Sequence, residues 1–131
     1  MNRKVLLIDD DVDLVEMNRA YLQRQGYTVL FAYNGEDGLK LARAEQPNLI
    51  VLDVMMTEVG EGFEVARALK GDAATRAIPV IMLSSVNQEH GFNLTIGADQ
   101  AWNPVDCFID KPFGPKELHA KIEELLSKMN G

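Results

Sequence analysis

Five side chains that can do metal or phosphoryl chemistry stand at the ends of short apolar segments. They are Asp9, Asp10, Asp53, Ser84 and Lys111. The two N-terminal aspartates follow the first apolar run, and the third aspartate ends a run in the middle of the chain. The serine and the lysine follow two later runs. A carboxylate, a hydroxyl and an ammonium group together can bind and transfer a phosphoryl group.

Three carboxylates brought to one place repel one another. At separations of about 4 Å each pair costs roughly 1 to 4 kcal/mol, depending on the local dielectric. Lys111 supplies one compensating positive charge, and a divalent cation would supply two more. Hard oxygen ligands favour Mg²⁺, which commonly binds one or two carboxylates and keeps several waters. The sequence therefore predicts a magnesium site among these aspartates.

Asp53 is the best candidate nucleophile because it ends the central apolar run, between the other groups. Its carboxylate would attack a phosphoryl group and form an aspartyl-phosphate. Lys111 and the hydroxyl of Ser84 would then contact the phosphoryl oxygens. For the metal we expect Asp10 as a direct ligand and Asp9 as a ligand through bound water, with a contribution from the backbone carbonyl of Met55.

The elements that must position these groups are short strands alternating with helices. The apolar runs at 5–8, 27–32, 49–52, 79–83 and 108–109 predict five strands, and unbroken runs indicate strands buried on both faces. Strands that alternate with helices form a parallel sheet covered on both sides. The helix between the fourth and fifth strands is expected to be short or irregular, because Gly91, Gly97 and Pro104 interrupt it.

Two helices have a readable apolar face. The first is predicted from Asp13 to Gln25, with Asp11 or Asp13 as its N-cap and Gly26 at its end. Its apolar positions are Leu14, Met17, Tyr21 and Leu22. The last helix begins near Pro115 and has Leu118, Ile122, Leu125 and Met129 on one face. His119 is expected to face solvent on that helix.

Composition and charge exclude several classes of function. The 131 residues fit a single domain, 1–131, and the net charge of −7 argues against direct nucleic-acid binding. No apolar run approaches the roughly 20 residues that a membrane span requires. Cys107 is the only cysteine, so the chain forms no internal disulfide, and a cytoplasmic location fits best.

Four segments taken together resemble the receiver domains of two-component response regulators. They are Leu6–Asp11, Leu49–Met56, Pro79–Ser84 and Phe108–Phe113, in the order and near the spacing of that family. The resemblance covers nearly the whole chain. It implies a flavodoxin-like (βα)5 sandwich with a parallel sheet of strand order 2-1-3-4-5, and a chain without an output domain.

The resemblance also implies a mode of action. A histidine kinase or a histidine phosphotransfer protein would phosphorylate Asp53, and binding of a downstream protein would change. Ser84 and Phe108 occupy the positions of the family's switch pair, and the Lys111–Pro112 bond is expected to be cis. The protein would be a monomer or a weak phosphorylation-dependent dimer.

The sequence departs from the family pattern after Asp53. Met56 is followed by Thr57 where the family usually has proline, and Gly62 comes one position later than the usual glycine. The loop at 57–61 is therefore one residue longer and is acidic. These differences concern the shape of the loop rather than the identity of the expected ligands.

Two other functions are alternatives, one that uses similar residues and one that has a similar topology. A Mg²⁺-dependent phosphohydrolase also forms an aspartyl-phosphate, but such enzymes often place an acid two residues after the nucleophile, where this chain has Met55. A flavin-binding module would need a phosphate-binding loop after the first strand, and the aspartates at 9–11 would repel phosphate. We therefore expect a signalling domain and not a conventional enzyme.

Overall fold

The computed structural model describes residues 3–53, 61–84, 107–110 and 114–130, with side chains described in 3–53, 64–83 and 114–127. Five strands form one parallel sheet of order β2-β1-β3-β4-β5. The strands are β1 (Arg3–Ile8), β2 (Tyr27–Ala32), β3 (Leu49–Asp53), β4 (Val80–Ser84) and β5 (Cys107–Asp110). The predicted fold and strand order are confirmed.

The described helices cover both faces of this sheet. They are α1 (Val12–Arg24), α2 (Gly35–Glu45), α3 (Glu61–Gly71) and α4 (Pro115–Asn130). The short or irregular helix predicted between β4 and β5 falls at 85–106, outside the described residues. Among the described helices, none combines the length and apolar character that crossing a membrane would require.

Alternate residues of the strands build two separate cores. Leu6 and Ile8 face one core, which α2 and α3 close, whereas Val5 and Leu7 face the other, which α1 and α4 close. This follows from the two-residue period of a strand. All four side chains are at most 2% exposed, and burial of each contributes about 1.5–3 kcal/mol. The continuous apolar runs are thus explained by burial on both faces.

Helix α1 begins at Val12, one residue before the predicted start at Asp13, and ends at Arg24. The Asp11 side chain accepts a hydrogen bond from the backbone N–H of Leu14 at 3.1 Å, so Asp11 rather than Asp13 is the N-cap. The buried residues are Val15, Asn18 and Leu22. The expectation that Met17 lies on the face of α1 that packs against the sheet is wrong, because Met17 is 44% exposed. Met17 lies two positions, about 200° of helical rotation, from Val15.

Helix α4 packs against the same face of the sheet as α1. Leu118, Ile122 and Leu126 are buried, and Leu125 is only partly buried. Leu125, which the prediction put on the inner face, packs against the edge of this core, and the i, i+4, i+8 row from Leu118 adds Leu126, which the prediction did not include. The side chain of Met129 lies outside those described.

Candidate functional site

The carboxyl ends of β1 and β3 bring three aspartates together. Ile8 of β1 pairs with Leu52 of β3, so Asp9 and Asp53 follow side by side on neighbouring strands. One carboxylate oxygen from each of Asp9, Asp10 and Asp53 lies within 4.8 Å of the others. This is the edge of a parallel sheet at which ligands characteristically bind.

The three aspartates differ in exposure. Asp9 and Asp53 are 3% and 2% exposed, whereas Asp10 is an exposed residue. Two carboxylates therefore lie in the floor of the site and one stands at its rim. A ligand approaching from solvent meets Asp10 first.

A hydrogen-bonded chain joins the site to the beginning of α1. The backbone N–H of Asp11 donates to Oδ1 of Asp9 at 2.9 Å, and Oδ1 of Asp11 accepts from the N–H of Leu14 at 3.1 Å. The backbone N–H of Asp9 donates to the carbonyl of Ala32 at the end of β2, at 3.1 Å. Asp9 is thus fixed from two sides. The partial positive charge of the helix N-terminus also favours carboxylates nearby.

The donor set fits a hard divalent cation. Three carboxylates within 4.8 Å of one another repel, and the repulsion is strongest for the two buried groups. A cation such as Mg²⁺ offsets that repulsion, and the exposed position of Asp10 leaves access for water ligands. Asp9, Asp10 and Asp53 are the residues that would hold it.

The other predicted site residues are only partly described. Leu83 pairs with Asp53, so the backbone of Ser84 reaches the same edge of the sheet one position further on. Phe108 lies in β5, where its backbone pairs with Met82. Met55, Lys111 and the Lys111–Pro112 bond lie outside the described residues, as do residues 57–60 of the acidic loop. Their assigned roles stay predictions.

One polar residue beside the site was not anticipated. Asn18 is 3% exposed and lies between the apolar positions of Val15 and Leu22 on the inner face of α1. The sequence did contain a signal for it: Asn18 follows Val15 by three positions and precedes Leu22 by four, so all three residues share one face of the helix.

A second polar cluster lies at the opposite edge of the sheet. Glu123 of α4 accepts hydrogen bonds from the hydroxyl of Tyr27 and from Arg3, the latter at 3.4 Å. Burial, followed by the hydrogen bond to Glu123, raises the pKa of Tyr27 to about 12. The same hydrogen bond lowers the pKa of Glu123.

His119 belongs to this second cluster. Its ring packs edge-on against Tyr21 and Tyr27, with centroid distances of 5.9 and 5.7 Å, and its Nε2 lies 3.4 Å from Glu123. The side chain is 22% exposed, so the expectation that it faces solvent is wrong. The position of α1 and β2 beside α4 explains the difference, since both tyrosines come from those elements.

Comparisons with known proteins point to one family. The family model described as "Response regulator receiver domain" matches residues 5–123. The chain is 35% identical over 128 residues to the alkaline phosphatase synthesis transcriptional regulatory protein PhoP of Bacillus subtilis (strain 168), covering 98% of this chain and 50% of that protein. It is 33% identical over 127 residues to the response regulator SaeR of Staphylococcus aureus (strain USA300), covering 95% of this chain and 51% of that protein.

A solved structure shows the same fold. The CheY-like receiver domain protein from Methanospirillum hungatei JF-1 superposes with a TM-score of 0.84 at 24% identity, covering 99% of this chain and 98% of that one. The chain spans about half the length of the curated relatives it matches. With the family model matching residues 5–123, the chain belongs to the response regulator receiver domains.

Proposed function

We propose that Asp53 accepts a phosphoryl group in a Mg²⁺-dependent reaction, from a histidine kinase or a histidine phosphotransfer protein. The observation that carries this proposal is the convergence of three carboxylates within 4.8 Å, with Asp53 at the end of the central strand. Membership of the receiver family makes the chain a phosphorylation-dependent signalling domain. The assignment of roles to individual residues is the proposed part.

The chain's own groups divide the work of transfer. An oxygen of Asp53 attacks phosphorus, the bond from phosphorus to the donor breaks, and the donor leaves with that electron pair. Asp53 lies on a strand buried on both faces, so its backbone is held during the attack. Lys111 is assigned to the phosphoryl oxygens, and the Ser84 hydroxyl donates to one of them. A bound Mg²⁺ would neutralise charge on the same oxygens.

Mg²⁺ would be held by Asp10 directly and by Asp9 through water, with Asp53 and the Met55 carbonyl completing the protein ligands. The different exposure of the two aspartates supports these roles. The exposed Asp10 side chain can move to contact the cation directly, whereas the buried Asp9 side chain is held in place and would reach it through water.

Phosphorylation would act by changing partner binding, with Ser84 and Phe108 as the coupled pair. We propose that the 131 residues form one receiver unit that works in the cytoplasm, as a monomer or a weak phosphorylation-dependent dimer. Relatives named as transcriptional regulators are about twice as long, and the net charge of −7 argues against DNA contact by this segment itself.

The decisive experiment is incubation with Mg²⁺ and acetyl phosphate, followed by intact-mass measurement. Wild type is expected to gain one phosphoryl group, and Asp53→Asn none. Asp13→Asn is the matched control, because it removes the same charge from an exposed position in the first turn of α1. Equal labelling of wild type and Asp53→Asn would refute the assignment.

A second measurement separates a signalling domain from a phosphohydrolase. The protein is incubated with Mg²⁺ and excess p-nitrophenyl phosphate, and nitrophenol release is followed. A signalling receiver should release nitrophenol only as fast as its own aspartyl-phosphate is hydrolysed, which is slow. Rapid release that depends on Asp53 would favour the hydrolase.

A further inference from the structure

A small internal cavity lies directly beneath the carboxylate site, between α1 and the sheet. Asp9 and Asn18 line it, together with apolar residues of β1, β3, β4 and α1. The space open to the centre of a water-sized sphere is about 10 Å³. One water molecule needs about that much room, so the cavity fits a single water.

Asn18 places a buried polar atom, its Oδ1, beside this cavity. The residue is 3% exposed, and its Oδ1 is buried without a hydrogen-bond partner among the described residues. A buried carbonyl oxygen without a partner costs about 1–3 kcal/mol. Such groups in folded proteins are usually satisfied by protein or ordered water.

The chemistry of the two polar walls identifies the occupant. Asn18 Oδ1 and the carboxylate of Asp9 are both acceptors, so they cannot hydrogen-bond to each other. A water molecule carries two O–H donors and can satisfy one acceptor with each. A cation is disfavoured because the remaining walls are apolar and the space admits no hydration shell.

We propose that one buried water bridges Asn18 Oδ1 and the Asp9 carboxylate, which makes Asn18 a positioning residue for the metal site. The inference rests on the proposed function, since it assigns Asp9 to the metal. The Asp9 carboxylate then accepts one hydrogen bond from the N–H of Asp11, at 2.9 Å, and another from the water in the cavity. Partners of this kind orient metal ligands and tune their affinity.

The direct test is a high-resolution crystal structure of the metal-free wild-type protein. An ordered water within hydrogen-bond distance of both Asn18 Oδ1 and Asp9 is expected. A dry cavity, or a side-chain amide of Asn18 that donates directly to Asp9, would overturn the inference. This observation needs no variant and does not depend on phosphorylation.

The functional test compares Mg²⁺ affinities by isothermal titration calorimetry. Asn18→Leu, similar in shape but without a polar atom, expels the water and is expected to weaken Mg²⁺ binding roughly tenfold, the low end for such partners. Phosphorylation by acetyl phosphate should fall at low Mg²⁺ and recover at saturating Mg²⁺. Asn18→Ser, which keeps an acceptor, should restore much of the affinity.

Val15→Ala is the matched control, because Val15 lines the same cavity but offers no hydrogen bond. It should lower the melting temperature and leave Mg²⁺ affinity unchanged. If Asn18→Leu binds Mg²⁺ as wild type does while Asp10→Asn does not, this inference fails and the proposed function stands. If wild type itself binds no Mg²⁺, the proposed function fails instead. Should Asn18→Leu not fold, the wild-type crystal structure decides.

Discussion

Gly38 of α2 packs directly against Ile8 of β1. A Cβ atom at position 38 would lie 2.5 Å from Cδ1 of Ile8 and 2.8 Å from its Cγ1. Ile8 is fully buried and is followed immediately by Asp9. The absence of a side chain at position 38 therefore sets how closely α2 approaches β1, the strand that two of the three aspartates directly follow.

Gly38→Ala should destabilise the protein. The added methyl overpacks a β-branched side chain that has little freedom to move, at a cost of about 1–3 kcal/mol. The gain in helix propensity returns at most about 1 kcal/mol. We expect a net loss of about 1–2 kcal/mol in urea unfolding.

Gly71→Ala is the control for this substitution. Gly71 ends α3, and a Cβ there would meet no atom within 4 Å. Its stability should equal or slightly exceed that of wild type. Equal effects of the two substitutions would contradict the close approach at Gly38.

The N-cap of α1 gives a second prediction. Asp11→Ala removes the acceptor for the N–H of Leu14 and should cost about 1 kcal/mol of unfolding free energy. Asp11→Asn keeps a capping oxygen and should stay within a few tenths of wild type. Both retain the backbone N–H that binds Asp9. If the asparagine variant were as unstable as the alanine variant, charge and not capping would be responsible.

Magnesium should stabilise the fold through the aspartate cluster. At a concentration of 100 times Kd, a ligand that binds only the native state adds about 2.7 kcal/mol. Thermal unfolding with Mg²⁺ and with EDTA measures this difference. Asp10→Asn should remove most of it, yet be slightly more stable than wild type in EDTA, because one repulsive charge is gone.

Asp13→Asn again serves as the control for Asp10→Asn. It should respond to Mg²⁺ as wild type does. If Mg²⁺ stabilised Asp10→Asn as much as wild type, Asp10 would not be a metal ligand.

Alkaline pH should weaken the contact between β2 and α4. The folded-state pKa of Tyr27 is raised to about 12, above the roughly 10 of an unfolded tyrosine. Its stabilising contribution is therefore complete below pH 10 and is lost as pH rises toward 12. The difference in unfolding free energy between wild type and Tyr27→Phe should shrink over that window.

Tyr33→Phe controls for general effects of high pH, because Tyr33 is an exposed residue at 36%. It should track wild type throughout. A constant difference between wild type and Tyr27→Phe from pH 9 to 12 would show that the hydroxyl does not titrate as proposed.

The sheet could be predicted because strands buried on both faces leave continuous apolar runs. The placement of Asp9, Asp10 and Asp53 at one edge followed from parallel topology alone. Helix faces were harder to predict. Met17 is apolar but exposed, and Leu125 is only partly buried at the edge of the core, since apolar type does not fix which side of a helix meets the sheet.

Contacts between distant elements left no signal in the sequence. The environment of His119 depends on Tyr21 and Tyr27, which lie roughly a hundred positions earlier in the chain. The partial burial of that histidine arises only when α1, β2 and α4 meet. Asn18 lies between these two cases. Its place on the inner face of α1 could be derived from the sequence, but the cavity beneath Asp9 forms only where three strands and a helix meet.

The two edges of the sheet are chemically unlike. At the amino ends, Lys4 and Asn48 exchange hydrogen bonds of 2.8 Å, and Glu123 joins Arg3 to Tyr27. At the carboxyl ends, like charges crowd together. The hydrogen bonds at the amino ends do not involve the aspartates, so we expect the protein to stay folded when Asp10 and Asp53 are replaced by Asn. Under the proposed function, such a variant would still bind its phosphodonor but could not be phosphorylated, so it would compete with wild type without passing on the signal.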